Sequence, residues 1–270
     1  MLRIQERVNK HIAIKPVRMN TNPPIPNGQP PFERYNFALL ICGQPNSGKS
    51  SFFYDQLTRP KHLETPSGLF YKKFHKVYIF SPSTHTLGRK LFVPEDQIYK
   101  DFDVEALGAI IEDQERDYEE VRQANIEIEA YNKEHKGKKE ELQTPQQVLI
   151  VFDDMMADIA KDKSKTFMRM LMNRRHLGIS VVCMTQVFNR IPARLRKGFS
   201  DVMLFKTKNR KELEAIREEL TSFNPKEYEE LIDATLQNQH DFILLKTYSN
   251  DMFRNLNPLV VSEYDSEEDK

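Results

Sequence analysis

The chain has 270 residues, with 40 basic and 40 acidic side chains and a formal net charge of zero. This length accommodates one α/β domain with appendages and leaves no room for a large additional nuclease domain. No apolar stretch approaches the roughly 20 residues that a membrane-spanning helix needs, and the first residues lack the apolar centre of a secretory signal. We therefore expect a protein without a membrane span that resides in the cytosol or nucleus.

The N-terminal segment ends in a proline-rich stretch with the sequence NPPIPNGQPPF. Prolines favour extended and stiff segments that lie outside a sheet. We predict an N-terminal arm with a proline-rich linker at residues 1–34, a main α/β domain at residues 35–250, and an acidic C-terminal tail at residues 251–270.

A phosphate-binding pattern follows the first predicted core strand. Gly43–Ser50 have the sequence GQPNSGKS, which matches G-x-x-x-x-G-K-[ST], between an apolar run at 37–42 and a predicted helix at 51–57. A loop in this position lets backbone N–H groups converge on phosphates. Lys49 would reach the terminal phosphates and Ser50 would ligate Mg²⁺, so we expect a nucleoside triphosphate and Mg²⁺ as cofactors. The predicted nucleotide-binding residues are Gly43, Gln44, Pro45, Asn46, Ser47, Gly48, Lys49, Ser50 and Ser51.

A second strand and a charged insertion come next. The apolar residues of Lys76–Phe80 predict the strand. From about residue 101 to residue 145, apolar side chains recur among many charged ones, a pattern typical of exposed amphipathic helices. We predict one or two helices here, arranged as a hairpin that faces solvent.

An acidic pair ends the next apolar run, at residues 148–152. All-apolar runs with β-branched residues are typical of strands buried on both faces of a parallel sheet, and ligands bind at the carboxyl ends of such strands. Asp153 is the predicted metal residue, and Asp154 lies where many related NTPases have a glutamate that polarises water. The shorter aspartate leaves the base role of Asp154 less secure than the metal role of Asp153.

Another strand is predicted at residues 179–184, after a crossover helix at about 163–175 that ends near Gly178. The strand leads into Thr185 and Gln186. Where such a strand lies between the phosphate-loop strand and the acidic-pair strand, a polar side chain at its end can contact both the γ-phosphate and the attacking water. Gln186 is therefore the predicted sensor, with a capping or loop glutamine as the alternative.

The remaining periodic segments complete an α/β fold. We predict a strand at residues 199–205, helices at 211–220 and 225–234, and an edge strand at 241–248. Together these elements predict a P-loop NTPase with a mostly parallel central sheet flanked by helices. The two cysteines, Cys42 and Cys183, fall in neighbouring core strands and are predicted to be buried apolar side chains.

Four segments resemble the FtsK/HerA-like ATPases and, within them, the viral genome-packaging ATPases of poxviruses, other large DNA viruses and virophages. The segments are GQPNSGKS, VLIVFDDM, NRRHLGISVVCMTQ and IPARLRKGFSDVMLFK, and the resemblance covers residues 35–206. A phosphate-binding loop alone is shared by many families. An arginine-rich helix end followed by a strand and Thr-Gln is a more specific pattern that far fewer families share. The resemblance implies a RecA- and FtsK/HerA-like sheet of the additional-strand type. It also implies a homo-oligomeric ring that hydrolyses ATP to drive double-stranded DNA into a preformed capsid.

Partners and location also follow from this resemblance. It implies binding to double-stranded DNA without sequence specificity, contact with a capsid or portal-vertex protein, and a place in the host-cell cytoplasm, the virus factory or the virion. Ring motors complete their active site with a cation from the neighbouring subunit. Arg174 and Arg175, predicted at the exposed end of the crossover helix, are the first candidates, and Arg194 and Arg196 come next.

The charge distribution bears on the DNA partner. Zero net charge argues mildly against DNA binding, but basic residues cluster at 190–211 and acidic residues at 101–141 and in the tail, so a ring could line its channel with positive charge. Two other functions remain open, an NTP-binding assembly scaffold and a small-molecule kinase. A GTPase is disfavoured because no N-K-x-D sequence follows the acidic pair.

Overall fold

The computed structural model describes residues 23–63, 65–83, 91–135, 137, 139–161 and 164–261. Its strands are β1 (Asn27–Gln29), β2 (Phe32–Arg34), β3 (Ala38–Cys42), β4 (Lys76–Phe80), β5 (Ile98–Tyr99), β6 (Val148–Asp153), β7 (Ile179–Thr185), β8 (Asp201–Phe205), β9 (Phe242–Lys246), β10 (Met252–Arg254) and β11 (Asn257–Leu259). Its α-helices are α1 (Lys49–Thr58), α2 (Val104–Glu134), α3 (Met156–Lys161), α4 (Ser164–Asn173), α5 (Ala193–Arg196), α6 (Arg210–Leu220) and α7 (Pro225–Thr235).

Strands β3 to β11 form one sheet in the order β11-β10-β9-β8-β3-β7-β6-β4-β5. The pairs from β8 to β5 are parallel, and those from β8 to β11 are antiparallel. Strand β7 lies between β3 and β6, so the predicted additional-strand arrangement is confirmed. Because parallel strands end at the same edge, the residues that follow β3, β6 and β7 meet there.

The central strands β3, β6, β7 and β8 are buried at every position and mostly apolar, because helices or loops cover both faces of the sheet. On one face, alternate side chains such as Leu40, Ile150 and Val181 join the core formed with helices α2, α4, α6 and α7. On the other face, Leu39 and Val182 pack with α1 and the β1–β2 hairpin. Each strand therefore contributes to both cores. The two cysteines are buried and free, as predicted.

The charged insertion is one long helix followed by an extended return segment. The Asp103 side chain caps α2 by accepting from the backbone N–H groups of Glu105 and Ala106, at 2.9 and 3.0 Å. Asn125 bonds the backbone of the returning chain at Gln143 through both amide atoms. Of the predicted one or two helices, one is therefore present. The hairpin of two helices is wrong, since Asn125 of α2 pairs with an extended backbone instead of a second helix.

The C-terminal part of the sheet is larger than predicted. Strand β9 is not an edge strand, because β10 and β11 continue the sheet beyond it. Residues 252–259, expected within the acidic tail, therefore belong to the sheet, and residues 262–270 of that tail lie outside the described residues. The short β10–β11 hairpin carries no long apolar alternation that could have indicated a strand.

The described part of the N-terminal segment packs against the main domain. Residues 1–22 of the predicted arm lie outside the described residues. Strands β1 and β2 form a separate antiparallel hairpin. Phe32 of this hairpin is only 3% exposed, and its ring lies 4.8 Å from that of Phe37 and 5.3 Å from that of Phe70. The proline-rich stretch thus lies outside the main sheet, as predicted, and covers its α1 face.

The crossover helix α4 ends earlier than predicted. It stops at Asn173, and Gly178 lies five residues further on with φ +62°, directly before β7. Gly178 is therefore not the helix cap. A Cβ at this position would lie 2.8 Å from the carbonyl oxygen of Gln146, so the glycine allows a close approach of two backbone segments. No α-helix in the described ranges has the length and apolar character needed to cross a bilayer.

Candidate nucleotide site

The phosphate-binding loop joins β3 to α1 at the carboxyl edge of the sheet. A Cβ at Gly43 would lie 2.6 Å from the Ser47 hydroxyl and 2.8 Å from Cβ of Phe205, so only glycine fits. Gly48 has φ +100° and is the N-cap of α1. Its left-handed backbone directs the chain into the helix, a conformation that glycine adopts without strain. The loop therefore places the first N–H groups of α1 around one point.

Lys49 lies inside this loop. Its ammonium donates to the carbonyl oxygens of Gly43, at 2.6 Å, and Gln44, at 3.1 Å. Burial lowers the pKa of Lys49, and the nearby carboxylates of Asp154 and Asp153 act in the opposite direction. The ammonium is thus held at the position where a bound phosphate would compete for its protons.

Asp153 ends strand β6 beside the start of α1. The Ser50 hydroxyl lies 3.4 and 3.5 Å from its two carboxylate oxygens. Burial and the neighbouring Asp154 raise the pKa of Asp153 to about 6, against the lowering effect of Lys49. A buried carboxylate next to a hydroxyl and a second carboxylate presents the hard oxygen ligands that Mg²⁺ prefers, and a cation would offset its desolvation. The residues present therefore fit the predicted metal.

Asp154 and Gln186 meet at the exposed edge of the site. The Gln186 side-chain amide donates to the Asp154 carboxylate at 3.1 Å. Asp154 has φ +57°, and its backbone N–H donates to the carbonyl of Met184 at 3.1 Å. This left-handed turn directs its side chain away from β6, across the end of β7. The structure thus brings together the two side chains that the sequence suggested for water.

Arg174 and Arg175 lie at the opposite edge of the sheet. Arg174 is only 3% exposed, and its guanidinium donates to the carbonyls of Asn36, at 3.1 Å, and Leu171, at 2.6 Å. Burial lowers its pKa. The prediction that Arg174 lies at an exposed helix end is therefore wrong, since the segment at Asn36 covers its side chain. Arg175 is exposed, with its guanidinium 5.3 Å from the ring centroid of Tyr248.

The next two arginine candidates lie on the short helix α5. Arg196 forms an ion pair with Glu219, donates to the carbonyl of Ile191 at 2.6 Å, and lies over the Phe188 ring. Arg194 is exposed. Because Arg196 is held by three partners of its own chain, Arg194 is the more accessible of the two.

Sequence reasoning missed a buried glutamate behind the sensor. Glu212 is 2% exposed, and its carboxylate accepts from the backbone N–H of Phe188, at 2.7 Å, and from the Thr207 hydroxyl, at 3.1 Å. These bonds join the segment after Gln186 to the end of β8. Glu212 lies in the charged sequence RKELEAIREEL, where nothing distinguishes it from exposed glutamates, so no local signal could have found it.

The chain also matches known proteins. The family model described as Poxvirus A32 protein matches residues 31–223. No curated protein sequence matches the chain significantly. The family match spans the phosphate-binding loop, the acidic pair and the sensor strand together.

Solved structures give further similarities. The genome packaging NTPase B204 from Sulfolobus turreted icosahedral virus 2, in complex with ATP-gammaS, is 15% identical, with a TM-score of 0.46 over 82% of this chain and 97% of that chain. B204, described as the DNA-packaging ATPase from Sulfolobus turreted icosahedral virus, is 15% identical, with a TM-score of 0.48 over 81% of this chain and 96% of that chain. EssC (ATPases 2 and 3) from Geobacillus thermodenitrificans is 15% identical, with a TM-score of 0.51 over 87% of this chain and 42% of that chain. The last match supports the P-loop ATPase fold, and the fold alone.

Proposed function

The chain belongs to the Poxvirus A32 protein family, and from this premise we propose that it is an ATP-driven motor that moves double-stranded viral DNA into a preformed capsid. The reaction is the hydrolysis of ATP to ADP and phosphate. One observation carries the proposal: the hydrogen-bonded pair Asp154 and Gln186 lies at the same sheet edge as the Lys49 loop and the Ser50–Asp153 pair. A site that only binds nucleotide has no need of this pair.

The residues divide the work of hydrolysis between them. Catalysis of phosphoryl transfer depends on positioning and on neutralising the charge of the phosphate oxygens. Lys49 exchanges its bonds to loop carbonyls for the β- and γ-phosphates. Ser50 and Asp153 would hold Mg²⁺, which would supply charge neutralisation at the phosphates. Asp154 and Gln186 orient a water molecule in line with the γ-phosphorus.

A cation from the neighbouring subunit completes this site in a ring. Arg175 is our first candidate, because it is exposed and Arg174 beside it is buried in its own subunit. Arg175 lies at the opposite sheet edge from its own phosphate-binding loop, so it would act on a neighbour's nucleotide. Arg194 is the second candidate for this role.

Positive charge supports DNA as the partner. The exposed basic residues that follow the sensor strand are Arg190, Arg194, Lys197, Lys208, Arg210 and Lys211. Helix α2, in contrast, is mostly acidic along its exposed surface. Binding of phosphates by lysine and arginine releases counterions and does not depend on base sequence. A ring that directs the basic segment inward would bind any duplex while its outer surface stays acidic.

The assembly and its place follow from the proposed role. We expect a homo-oligomeric ring that contacts a capsid or portal-vertex protein, in the host-cell cytoplasm, the virus factory or the virion. The chief rival is an NTP-binding assembly scaffold, which is favoured by the short side chain of Asp154. A scaffold would bind ATP without DNA-dependent turnover.

Triplex displacement tests translocation directly. A third strand bound to duplex DNA is released when a motor moves along the duplex, and a fluorescent label reports its release. We expect ATP-dependent displacement by the assembled protein and none by Lys49→Ala. Assembled wild type that hydrolyses ATP without displacing the strand would contradict the motor.

A further inference from the structure

Glu212 connects the two segments of chain that leave strands β7 and β8 at the nucleotide edge of the sheet. Its carboxylate accepts from the backbone N–H of Phe188 at 2.7 Å and from the Thr207 hydroxyl at 3.1 Å. The residue is 2% exposed and forms no ion pair with any described residue. These two hydrogen bonds therefore take the place of the water that a carboxylate loses on burial.

The first segment begins two residues after Gln186. It is the short turn Phe188–Arg190, which we call the sensor segment. Phe188 is fully buried, so its backbone N–H has no access to water. Only Val187 separates this anchored residue from Gln186, and a shift of the anchor would therefore displace the sensor side chain.

The second segment leads from β8 into α6. It comprises residues 207–211, which we call the β8–α6 segment. The side-chain amide of Asn189, in the sensor segment, donates to the carbonyl of Lys211 at 3.2 Å. Glu212 and Asn189 thus hold the two segments side by side, the first from the buried side and the second from the surface.

Both segments carry exposed positive charge. The exposed basic residues are Arg190 on the sensor segment and Lys208, Arg210 and Lys211 on the β8–α6 segment. None of the four forms an ion pair with a described residue. A DNA backbone presents its phosphates at close spacing, so it gains contacts with all four side chains only while the two segments lie together. DNA binding would therefore stabilise the arrangement that Glu212 holds.

We propose that Glu212 is a positioning residue that couples DNA binding at these four basic residues to the placement of Gln186. Because it is buried, Glu212 touches neither nucleotide nor DNA and acts through its bonds to Phe188 and Thr207. DNA raises the fraction of molecules in which the two segments lie together, and kcat rises with the fraction in which Gln186 meets Asp154. This inference rests on the proposed function, because it explains how duplex DNA would accelerate hydrolysis.

The test measures the ratio of kcat with saturating duplex DNA to kcat without DNA. Glu212→Gln keeps the shape of the side chain but leaves one acceptor oxygen for two donors, so one segment is released. We expect the several-fold ratio of wild type to fall below about 1.5. The Kd for a fluorescent duplex, measured by anisotropy, should stay within about threefold, because the four basic residues remain.

Asp201→Asn is the matched control. Asp201 is 1% exposed, and its carboxylate also has two partners, the Ser200 hydroxyl at 2.6 Å and the Lys246 ammonium at 2.7 Å. It begins β8, at the opposite edge of the sheet from the nucleotide site. The control variant should lose stability, as Glu212→Gln does, and should keep the wild-type ratio.

Asn189→Ala weakens the same connection from the surface. Asn189 is exposed, so its substitution leaves the core intact. The loss of one hydrogen bond between the segments should lower the ratio at least about twofold. This variant decides the question if Glu212→Gln does not fold.

The outcomes separate this coupling from the proposed function. An unchanged ratio in Glu212→Gln, or in Asn189→Ala where Glu212→Gln does not fold, would overturn the coupling and leave the proposed function standing. An equal fall in Asp201→Asn would also overturn it, because the effect would then follow stability alone. Wild type whose turnover does not respond to DNA would overturn the proposed function as well. A fall in the ratio confined to the Glu212 and Asn189 variants would establish the coupling.

Discussion

Gln186 donates a 3.1 Å hydrogen bond to Asp154, and this bond joins the ends of two neighbouring strands, β7 and β6, at the nucleotide site. Both side chains are exposed, so the pair faces solvent. A water molecule there would find an acceptor in the carboxylate and both a donor and an acceptor in the amide. The pair can therefore hold and orient a water nucleophile while the hydrogen bond between Gln186 and Asp154 stays formed.

We predict that Gln186→Ala and Asp154→Asn slow turnover without weakening ATP binding. Each should lower kcat by about 100-fold, the usual effect of removing a group that acts in the transition state. The Kd for ATP should stay within about threefold, because neither side chain is bonded to the phosphate-binding loop. Steady-state kinetics and nucleotide titration measure the two quantities.

The matched control is Gln123→Ala. Gln123 is also an exposed glutamine bonded to a carboxylate, Glu119, at 2.7 Å, but it lies on α2 far along the sequence from the site motifs. It should leave kcat unchanged. A loss of ATP affinity equal to the loss of kcat in Gln186→Ala would argue against a role for this residue in the chemical step.

Substitution of Arg174 should lower the stability of the fold, whereas substitution of Arg175 should affect catalysis. Arg174→Ala removes a buried guanidinium that bonds two backbone carbonyls, so we expect a loss of about 3 kcal/mol in the free energy of unfolding. Arg175→Ala should change it by less than about 0.5 kcal/mol, because the side chain is exposed. Urea unfolding of both variants checks this difference.

ATP hydrolysis by Arg175→Ala tests the catalytic role of this side chain. If Arg175 acts on a neighbour's nucleotide, Arg175→Ala should bind ATP normally and lose hydrolysis, and rings mixed from mutant and wild-type chains should lose more activity than the mutant fraction. Proportional loss in mixed rings would exclude action between subunits. Full activity of Arg175→Ala would exclude Arg175 and leave Arg194 as the candidate that acts on a neighbour's nucleotide.

Gly43→Ala should impair the loop by a purely steric effect. The new Cβ would lie 2.6 Å from the Ser47 hydroxyl and 2.8 Å from Cβ of Phe205. Relief of this overlap must move the loop, at a cost of about 1–3 kcal/mol, so the affinity for ATP should fall at least about fivefold. Gly108→Ala, in α2, meets no atom within 4 Å and should leave affinity unchanged. ATP binding by Gly43→Ala at wild-type strength would contradict this account.

The charge of Asp241 should stabilise the fold except in strong acid. Its folded pKa of about 2 lies below the unfolded value of about 3.9, so its contribution is present above about pH 4 and is lost as the pH falls toward 2. We expect Asp241→Asn to cost about 1–2 kcal/mol at pH 7, because the residue is only 7% exposed and its carboxylate accepts hydrogen bonds from Asn238 and Asn255. Urea unfolding at several pH values should show that wild type and variant converge at low pH. A difference independent of pH would contradict this role.

The sequence predicted the centre of the sheet well because its signals there are local. Val148–Asp153 and Ile179–Thr185 are mostly apolar and buried throughout, and each ends in a polar residue at the edge where ligands bind. The predicted order of the strands came from the resemblance of these motifs to those of FtsK/HerA-like ATPases. In contrast, β10 and β11 have three residues each, too few for any periodic pattern.

Burial and long-range contact explain what the sequence could not reveal. Arg174 and Arg175 are adjacent and identical in type, yet one is covered by the segment at Asn36 and the other is exposed. The contact of His240 with Ser47 joins residues 193 positions apart. Such pairs depend on how distant elements pack, and no pattern within either segment specifies them.

Steady-state ATP hydrolysis with and without long double-stranded DNA tests the central claim most directly, with light scattering to report the oligomer. We predict that wild type hydrolyses ATP, that DNA raises its turnover several-fold as rings form, and that Lys49→Ala abolishes it. Wild type that binds ATP but neither hydrolyses it nor responds to DNA in any oligomeric state would contradict the motor and favour an assembly scaffold.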